Sequence, residues 1–237
     1  MNEKYWFLKK CNLFGHLSDR DLQELERTCF VREYGRGEMV YLPSDHSDSV
    51  LLLAKGRIRI FHLTPEGKQA ILGFVEPGEV FGELSCFQQS TREEYSETTT
   101  KSLVVMMPYH SMQHLMARSP EVSMKMTRLF GLRLKKIQRR LKSLLFRTSR
   151  EKVGHLLLEL VEQYGKVVPE GLLITQKLSH QDMASIIGAT RETVTITLGE
   201  LQEEGIVSIE RRLITLKNAD HLASSIDFGP VIPAIAS

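Results

Sequence analysis

The sequence has few cysteines, few aromatic residues and no long apolar stretch, and each shortage excludes a class of protein. Its 237 residues include 3 Cys, 8 Pro and 16 Gly, and aromatic residues make up 7%. The glycines and prolines are dispersed, which excludes collagen-like and low-complexity chains. No apolar run approaches the roughly 18 residues that a membrane helix needs, and the first residues lack the apolar stretch of a secretory signal. The 42% of hydrophobic residues predicts a globular chain of one large domain or two ordinary ones.

The three cysteines, Cys11, Cys29 and Cys86, are widely separated and form no CxxC pair. They supply neither a disulfide framework nor the set of thiolates that binds an iron–sulfur cluster, so we expect no such cluster and a reducing cytosol as the compartment. Cys86 could act as an oxidation switch, but a lone small cysteine more often packs in a core.

Charge of one sign is also scarce, because 31 basic and 29 acidic residues leave a net charge of +2. The balance is uneven along the chain. Residues 1–119 carry 14 basic and 16 acidic side chains, residues 120–217 carry 17 and 11, and residues 218–237 add two acidic ones. The basic excess is confined to 120–217, which favours a polyanion partner for that part of the chain.

Hydrophobic patterning divides the chain into a strand-rich part and a helical part. Up to about residue 32 the sequence predicts short helices, one of them capped by Ser18. From about 33 to 107, short β-rich runs separated by glycine-containing turns predict a small antiparallel barrel or roll.

A long helix is predicted over 119–147. Its first helical position is a proline, a residue that favours helix starts, and Gly131 is its only glycine. Apolar residues recur in steps of three and four, which is the heptad-like pattern of a helix that pairs two chains. A long helix packed on its own domain, with a solvated basic face, is the alternative. The predicted dimerisation seam consists of Met126, Phe130, Leu134, Ile137, Leu141 and Leu144.

The most informative stretch is 178–199. Ser179 is expected to cap a first helix, with Asp182 completing a capping box. Gly188 can take the left-handed conformation that ends this helix, and Thr190 then caps a second one. A helix, a glycine turn and a second capped helix predict a helix-turn-helix motif.

Such a motif presents particular side chains to DNA. The second helix enters the major groove amino end first, where Arg191 could donate to guanine and Glu192 could accept from cytosine. The start of the first helix suits phosphates, as do the arginines at the tip of a two-stranded wing at 205–216. A helical hairpin used only for packing is the alternative. The predicted DNA-binding residues are Ser179, His180, Gln181, Thr190, Arg191, Glu192, Thr195, Arg211 and Arg212.

With these motifs the sequence resembles the CRP/FNR family of bacterial transcription regulators over residues 12–217. PGEVFGEL at 77–84 precedes the long helix and TRETV at 190–194 follows it, while LSHQ…IGATRETVT is similar to the cyanobacterial nitrogen-regulator branch. The resemblance implies a homodimer that binds palindromic promoter DNA and contacts RNA polymerase.

The resemblance also implies the fold class and the domain organisation. The class is α+β, with an N-terminal antiparallel β-roll of the double-stranded β-helix type, a long dimerisation helix and a C-terminal winged helix-turn-helix. The expected domains are a sensor at 1–118, the dimerisation helix at 119–147, the DNA-binding domain at 148–217 and a tail at 218–237.

Carried over residue by residue, Arg191 and Glu192 stand at two base-reading positions of the family. The third position, usually an arginine, is Ile196 here, which cannot donate to guanine. We therefore expect one step of operator readout to differ from the family pattern.

The resemblance places an effector site in the roll. In cyclic-nucleotide-binding members the glycine and the glutamate of FGEL hold phosphate and ribose, and an arginine, with which Arg92 aligns here, completes the phosphate cradle. Glu93 would repel a phosphate and could neutralise Arg92, and the two residues that align with adenine-binding hydroxyls are not hydroxyls. Cyclic AMP is therefore disfavoured, and another small anion or no ligand at all is expected. The implied effector site is Gly82, Glu83, Leu84, Ser85, Arg92, Ile137 and Gln138.

Two other functions compete with a DNA-binding regulator. A β-roll could be a cupin-like metalloenzyme, but the clustered histidines that this chemistry needs, commonly HxH with a carboxylate, do not occur. Haem or metal binding by His62, His110 and His114 is a further alternative, but no pair of them has convincing ligand spacing, and the last two are expected on a surface helix face. The motifs GxSxG and HExxH and a phosphate-binding glycine loop do not occur either. A cyclic-nucleotide-binding regulatory subunit without a DNA-binding role would leave the winged motif unexplained. We therefore expect a regulator rather than an enzyme.

Overall fold

The computed structural model describes residues 3–86 and 91–226, together with residues 228 and 231. The chain divides into two compact units, residues 1–134 and 135–237, and the division falls within the longest helix. Within the described ranges, no helix is both long and apolar enough to cross a membrane.

The first unit starts with two helices, α1 (Glu3–Lys10) and α2 (Asp19–Thr28). Ser18 caps α2 as predicted, because its hydroxyl accepts a hydrogen bond from the N–H of Asp21 at 3.2 Å. Leu22, one turn further along α2, is fully buried.

The described strands of this unit, numbered in chain order, form two antiparallel sheets. The first sheet has the order β1 (Phe30–Tyr34), β8 (Ser102–Pro108), β3 (Ser49–Lys55), β6 (Val80–Phe81). The second has the order β2 (Met39–Tyr41), β7 (Tyr95–Thr98), β4 (Ile58–Leu63), β5 (Gln69–Val75). A short 3-10 helix covers Glu83–Cys86 between β6 and β7. This is the predicted antiparallel roll.

Both faces of β3 are buried. Side chains alternate between the two faces of a strand, so Leu51 and Leu53 join one hydrophobic cluster while Val50 and Leu52 join another. The first cluster is built from strand residues, and the second also contains residues from the flanking helices. The unbroken apolar run of β3 therefore reflects a strand that serves two cores.

Two helices follow the roll, α3 (Tyr109–Arg118) and α4 (Pro120–Phe146). The second begins at the proline that the sequence indicates and ends one residue short of the predicted limit at 147.

The predicted dimerisation seam on α4 is wrong at its first position. Met126 is fully buried in the core of the first unit, together with Val122, and Phe130 is partly buried against the same cluster. The first turns of α4 are therefore occupied by their own unit. The later seam residues have relative exposures between 40% and 64% and are Leu134, Ile137, Leu141 and Leu144.

The described part of the second unit contains further helices and a four-stranded antiparallel sheet. The helices are α5 (Ser149–Tyr164), α6 (His180–Ile187), α7 (Arg191–Glu203) and α8 (Ala219–Ser225). The sheet has the order β11 (Val207–Glu210), β12 (Leu213–Leu216), β10 (Gly171–Ile174), β9 (Gly165–Val168). The strands β11 and β12 are the predicted wing, and the β9–β10 hairpin that extends the sheet was not predicted.

Helix α8 was not predicted either, and it packs against α5. A Cβ atom on Gly154 of α5 would lie 3.1 Å from Leu222 Cδ1 and 3.3 Å from Ile226 Cδ1. The glycine thus allows a close approach of the two helices. Of the tail predicted to be irregular, residues 227, 229, 230 and 232–237 lie outside the described residues.

The chain thus has the predicted α+β architecture, with an N-terminal roll, a long helix and a C-terminal winged helix-turn-helix.

Candidate nucleic-acid interface and effector site

The caps and the turn of the helix-turn-helix follow the sequence prediction. The hydroxyl of Ser179 accepts from the N–H of Asp182 at 3.0 Å, and the Asp182 carboxylate accepts from the N–H of Ser179 at 3.0 Å. Gly188 ends α6 in the left-handed region at φ +65°. The hydroxyl of Thr190 accepts from the N–H of Thr193 at 3.2 Å and so begins α7. The capping box, the glycine turn and the second cap are confirmed.

Burial decides which face of α7 is available to a partner. Val194, Leu198 and Leu201 of α7 are buried, as are Met183 and Ile187 of α6. The side chains that α7 exposes include that of Arg191, at its amino end, and those of Glu192, Thr195 and Ile196.

The amino end of α7 presents a cation and an anion side by side. Arg191 and Glu192 are both exposed. Hydrogen bonds from its own backbone N–H, and then from Thr190, lower the pKa of Glu192, so this carboxylate is ionised at neutral pH. The pair offers hydrogen-bond donors and acceptors at the end of the helix that would enter a groove.

A hydrogen bond joins the two helices of the motif. Thr195 Oγ1 donates to the carbonyl of Arg191 at 2.9 Å and lies 2.8 Å from Nδ1 of His180. A hydroxyl that donates to a carbonyl must accept from the ring, which assigns the proton of His180 to Nδ1. His180 and Thr195 were both predicted as DNA contacts, and here their polar atoms contact each other.

The other predicted contacts of α6 are partly engaged as well. The Ser179 hydroxyl also donates to the Asp182 carboxylate at 2.6 Å, and Gln181 Nε2 lies 3.4 Å from the hydroxyl of Ser185. Both residues are exposed. They lie at the start of α6, where the positive helix end favours phosphates.

The tip of the wing is a two-residue turn between β11 and β12. Arg211 has φ +48° and Arg212 has φ +67°, and both side chains are exposed. Two successive residues in the left-handed region give the turn type that suits a hairpin. This backbone conformation costs a residue other than glycine roughly 1–2 kcal/mol. The wing thus keeps two cations at its tip despite backbone strain.

The carboxyl end of α4 contacts the helix-turn-helix within the second unit. Arg140 Nε donates to the carbonyl of Ile186 at 3.0 Å, and its Nη2 donates to the same oxygen. Burial lowers the pKa of Arg140. Leu144 Cδ2 lies 3.3 Å from the position that a Cβ on Gly188 would take. Sequence reasoning missed this contact, because Arg140 looked like one of several solvated basic residues.

In the roll, Arg92 is turned inward and is 7% exposed. Its Nη1 donates to the carbonyl of Gly82 at 2.8 Å and its Nη2 to that of Ser49 at 2.6 Å, and the guanidinium lies 4.6 Å from the centre of the Tyr41 ring. Glu93, which was expected to neutralise Arg92, is exposed, whereas the buried guanidinium donates to backbone carbonyls.

The neighbouring carboxylate, Glu94, accepts a hydrogen bond from the Tyr41 hydroxyl at 2.8 Å. Burial, and then the charge of Glu94, raise the pKa of Tyr41, so this phenol stays neutral. Tyr41 therefore links Arg92, which lies over its ring, to Glu94 at its hydroxyl.

Glu83, the second predicted effector residue, is buried and forms an ion pair with Arg133 of α4. Arg133 also donates to the carbonyl of Val80. The glutamate is thereby held by a cation of its own unit.

The remaining effector predictions are dispersed. Leu84 is exposed, the side chain of Ser85 lies outside the described residues, and Ile137 and Gln138 are exposed on α4 in the second unit. Gly82, Glu83 and Arg92 are the predicted effector residues that the roll brings together.

Metal ligands are not clustered in the part of the chain that the structure describes. That part includes no group of three or more His, Cys, Asp or Glu side chains arranged to hold an ion. His110 and His114 are exposed on α3, as expected of a surface helix face, and Cys86, the suggested oxidation switch, has its side chain outside the described residues.

Comparison with known proteins identifies the family. Residues 31–119 match the cyclic nucleotide-binding domain and residues 151–225 match the Crp-like helix-turn-helix domain. The chain is 30% identical over 190 residues to the global nitrogen regulator of Synechococcus elongatus, a match that covers 79% of this chain and 86% of that protein. The chain belongs to the CRP/FNR family of transcription regulators.

Other CRP/FNR proteins resemble nearly the whole chain. The CRP-like cAMP-activated global transcriptional regulator of Mycobacterium tuberculosis is 25% identical over 216 residues, which covers 91% of this chain and 96% of that protein. A solved structure of a CooA mutant from Carboxydothermus hydrogenoformans has the same fold, with a TM-score of 0.75 at 22% identity over 84% of this chain and 88% of that chain. FixK2 from Bradyrhizobium japonicum gives 0.72 at 22% identity over 88% and 99%.

As a CRP/FNR-type protein, this chain is a DNA-binding transcription regulator. The matched helix-turn-helix domain runs to residue 225, past the predicted limit at 217, and so includes α8.

Proposed function

We propose that this CRP/FNR-type regulator is a homodimer that binds a palindromic promoter site and is gated by a small effector or a cellular state sensed in the roll. The observation that carries the proposal is the exposed amino end of α7, where Arg191 and Glu192 stand beyond a capped, well-packed helix-turn-helix. A planar guanidinium at this position suits bidentate hydrogen bonds to guanine.

The exposed seam of α4 supports the dimer. Leu134, Ile137, Leu141 and Leu144 are separated by three, four and three residues and share one face of the helix. An apolar stripe of this kind on a long helix is stabilised when a second copy covers it. Two copies related by a twofold axis would match two half-sites, which is why we expect a palindrome.

The roll supports gating by a small anion. Arg92 brings a buried positive charge next to the turn that holds Gly82 and Glu83. Two of its five N–H donors are used by the carbonyls of Gly82 and Ser49. Cyclic AMP stays disfavoured, since the exposed α4 positions that would face the base, Ile137 and Gln138, are not hydroxyls.

Gating would act by shifting the dimer between two arrangements. An effector that binds one arrangement better than the other changes their populations and with them the spacing of the two recognition helices. Contact with RNA polymerase at the promoter completes the proposed activity.

Selection of binding sites from random DNA, with and without cell extract, tests this function. We expect a palindrome whose half-sites each contain a guanine. If a small effector is needed, the enrichment of this sequence should depend on the cell extract. Recovery of no common sequence under either condition would refute it.

Arg191→Ala tests the residue that carries the proposal. The variant should lose roughly 1–3 kcal/mol of discrimination per half-site against competitor DNA, because the bidentate donors are gone. Its sedimentation should stay that of the parent dimer. The matched control is Arg36→Ala, which removes an exposed arginine from the first unit. Unchanged competition by the Arg191 variant would contradict the assignment.

A further inference from the structure

On the exposed surface of α7 an apolar stretch lies between the charged first turn and Glu200, which forms an ion pair with Arg150 of α5. Arg191 and Glu192 at the amino end are charged, whereas the next turn presents Ile196, which is 63% exposed. Residues four apart are neighbours on a helix surface, so Ile196 adjoins Glu192. A β-branched apolar side chain therefore stands directly beside the groups that are proposed to read bases.

Thr195 adds to this apolar surface. Its hydroxyl is engaged within the motif, donating to the carbonyl of Arg191 and bonded to His180. Because the only proton of the hydroxyl is donated to that carbonyl, this exposed side chain offers a partner its methyl group and no hydrogen-bond donor.

Gly199 completes the surface one turn further along α7. Glycine in an exposed helix costs roughly 1 kcal/mol relative to alanine. Apart from its two chain neighbours and the nearby backbone of its own helix, no described atom lies within 4 Å of the position a Cβ on Gly199 would take, so packing within the chain does not require glycine there. The missing side chain leaves room for a partner to approach the helix between Thr195 and Ile196.

We propose that Thr195, Ile196 and Gly199 form an apolar surface that reads a thymine methyl group in the major groove, beside the bases read by Arg191. The inference rests on the proposed function and names its specificity. The C5-methyl group of thymine is the one apolar feature that distinguishes base pairs in the major groove. Isoleucine and the methyl group of threonine can contact the thymine methyl group, and neither of them brings a charged side chain against the polar atoms of the base.

The test begins with the site selected by the full-length protein. The duplex is resynthesised with deoxyuridine replacing each thymine in turn, which removes the methyl group and keeps the base pair. One position in each half-site should lower affinity by about fourfold, the loss expected when a single methyl group is no longer buried. For Ile196→Ala the same replacement should change affinity by less than about twofold, because the partner of that methyl is already missing.

The matched control is Val167→Ala on β9. Val167 is an aliphatic side chain of the same unit, 71% exposed and away from the recognition helix. It should respond to deoxyuridine like the parent. Uniform tolerance of deoxyuridine by the parent protein, or the same fourfold loss in Ile196→Ala, would overturn the inference.

Gly199→Ala provides a second measurement, whose outcome differs between a glycine with a purely structural role and one that makes room for DNA. The exchange should raise the midpoint of thermal unfolding, because alanine is the better helix former. It should nevertheless weaken binding to the selected duplex several-fold, because the new methyl group fills the space meant for DNA. Unchanged affinity with raised stability would show that nothing approaches this face.

Failure of this inference is distinguishable from failure of the proposed function. If the parent protein selects a common sequence that depends on Arg191 but not on Ile196, only the methyl readout is wrong. If it selects no sequence, the proposed function itself is refuted.

Discussion

Single residues in this chain show that burial does not by itself decide which polar groups are engaged by their neighbours. Arg92 is buried, and two of its N–H groups donate to carbonyl oxygens, which carry only partial charges. Thr195, on the surface, has its hydroxyl occupied by neighbours. In the first case a buried group is held by neutral partners, and in the second the hydroxyl of an exposed residue is engaged within the chain. Burial and hydrogen bonding therefore have to be considered together for each polar group.

Two thiols of the first unit should be inert in the folded protein. Burial raises the pKa of Cys29 to about 12 and also raises the pKa of Cys11. At pH 8 the reactive thiolate is then scarcely populated in the native state. In a Cys86→Ser background, iodoacetamide should modify these thiols far more slowly in the native protein than in urea, as followed by mass spectrometry.

The same shifts have a consequence for stability. An acid whose pKa is raised by folding stays protonated in the native protein when the pH exceeds its ordinary pKa, whereas it ionises in the unfolded chain. The free energy of unfolding therefore falls as the pH rises through this alkaline range.

Equal alkylation rates in native and unfolded protein would contradict the burial of both thiols.

At the scale of elements, α4 shows what patterning can and cannot predict. The recurrence of apolar residues every three or four positions predicted the helix itself, because this periodicity is local. It could not indicate which partner each apolar residue contacts. Met126 meets its own core, whereas Ile137 stays exposed. The caps at Ser179 and Thr190 were predictable for the same local reason. The contact of Arg140 with Ile186 joins residues 46 positions apart and left no local signal.

Ile137→Lys should dissociate the proposed dimer. A lysine in the middle of the exposed seam places two like charges face to face in the paired helices. Sedimentation velocity should show the parent at the mass of two chains and the variant at the mass of one.

Leu132→Lys is the matched control, because Leu132 is an exposed leucine of the same helix that lies off the seam. It should remain dimeric. A stable dimer of the Ile137 variant, or dissociation of the control as well, would mean that the seam is assigned wrongly.

At the scale of the whole molecule, charge is distributed by function. The near-neutral total conceals a basic excess confined to residues 120–217, where the recognition helix and the wing lie. Counterion release depends on the cations that face phosphates rather than on the net charge. A small total charge thus allows DNA binding while limiting attraction to any polyanion at long range.

Salt dependence should reveal how many cations face phosphates. Replacing Arg211 and Arg212 with glutamine should make the slope of log affinity against log salt shallower by about 0.9 for each phosphate that an arginine no longer neutralises. The effect should be similar on selected and unrelated sequences, because phosphates carry no base information. Titrations by fluorescence anisotropy at several salt concentrations measure both.

The control for this experiment is Arg36→Gln in the first unit, whose slope should equal that of the parent. A double variant with an unaltered slope would remove the wing from the interface.

The packing of α8 on α5 also affects how the protein is made. Leu222 and Ile226 cover Gly154, which lies more than 60 positions earlier in the chain. During synthesis α5 leaves the ribosome long before the residues that will cover it, so the second unit cannot close until α8 has emerged. The first unit, complete by Leu134, can fold while translation continues. The roll of the nascent chain would thus be folded before the helix-turn-helix domain is complete.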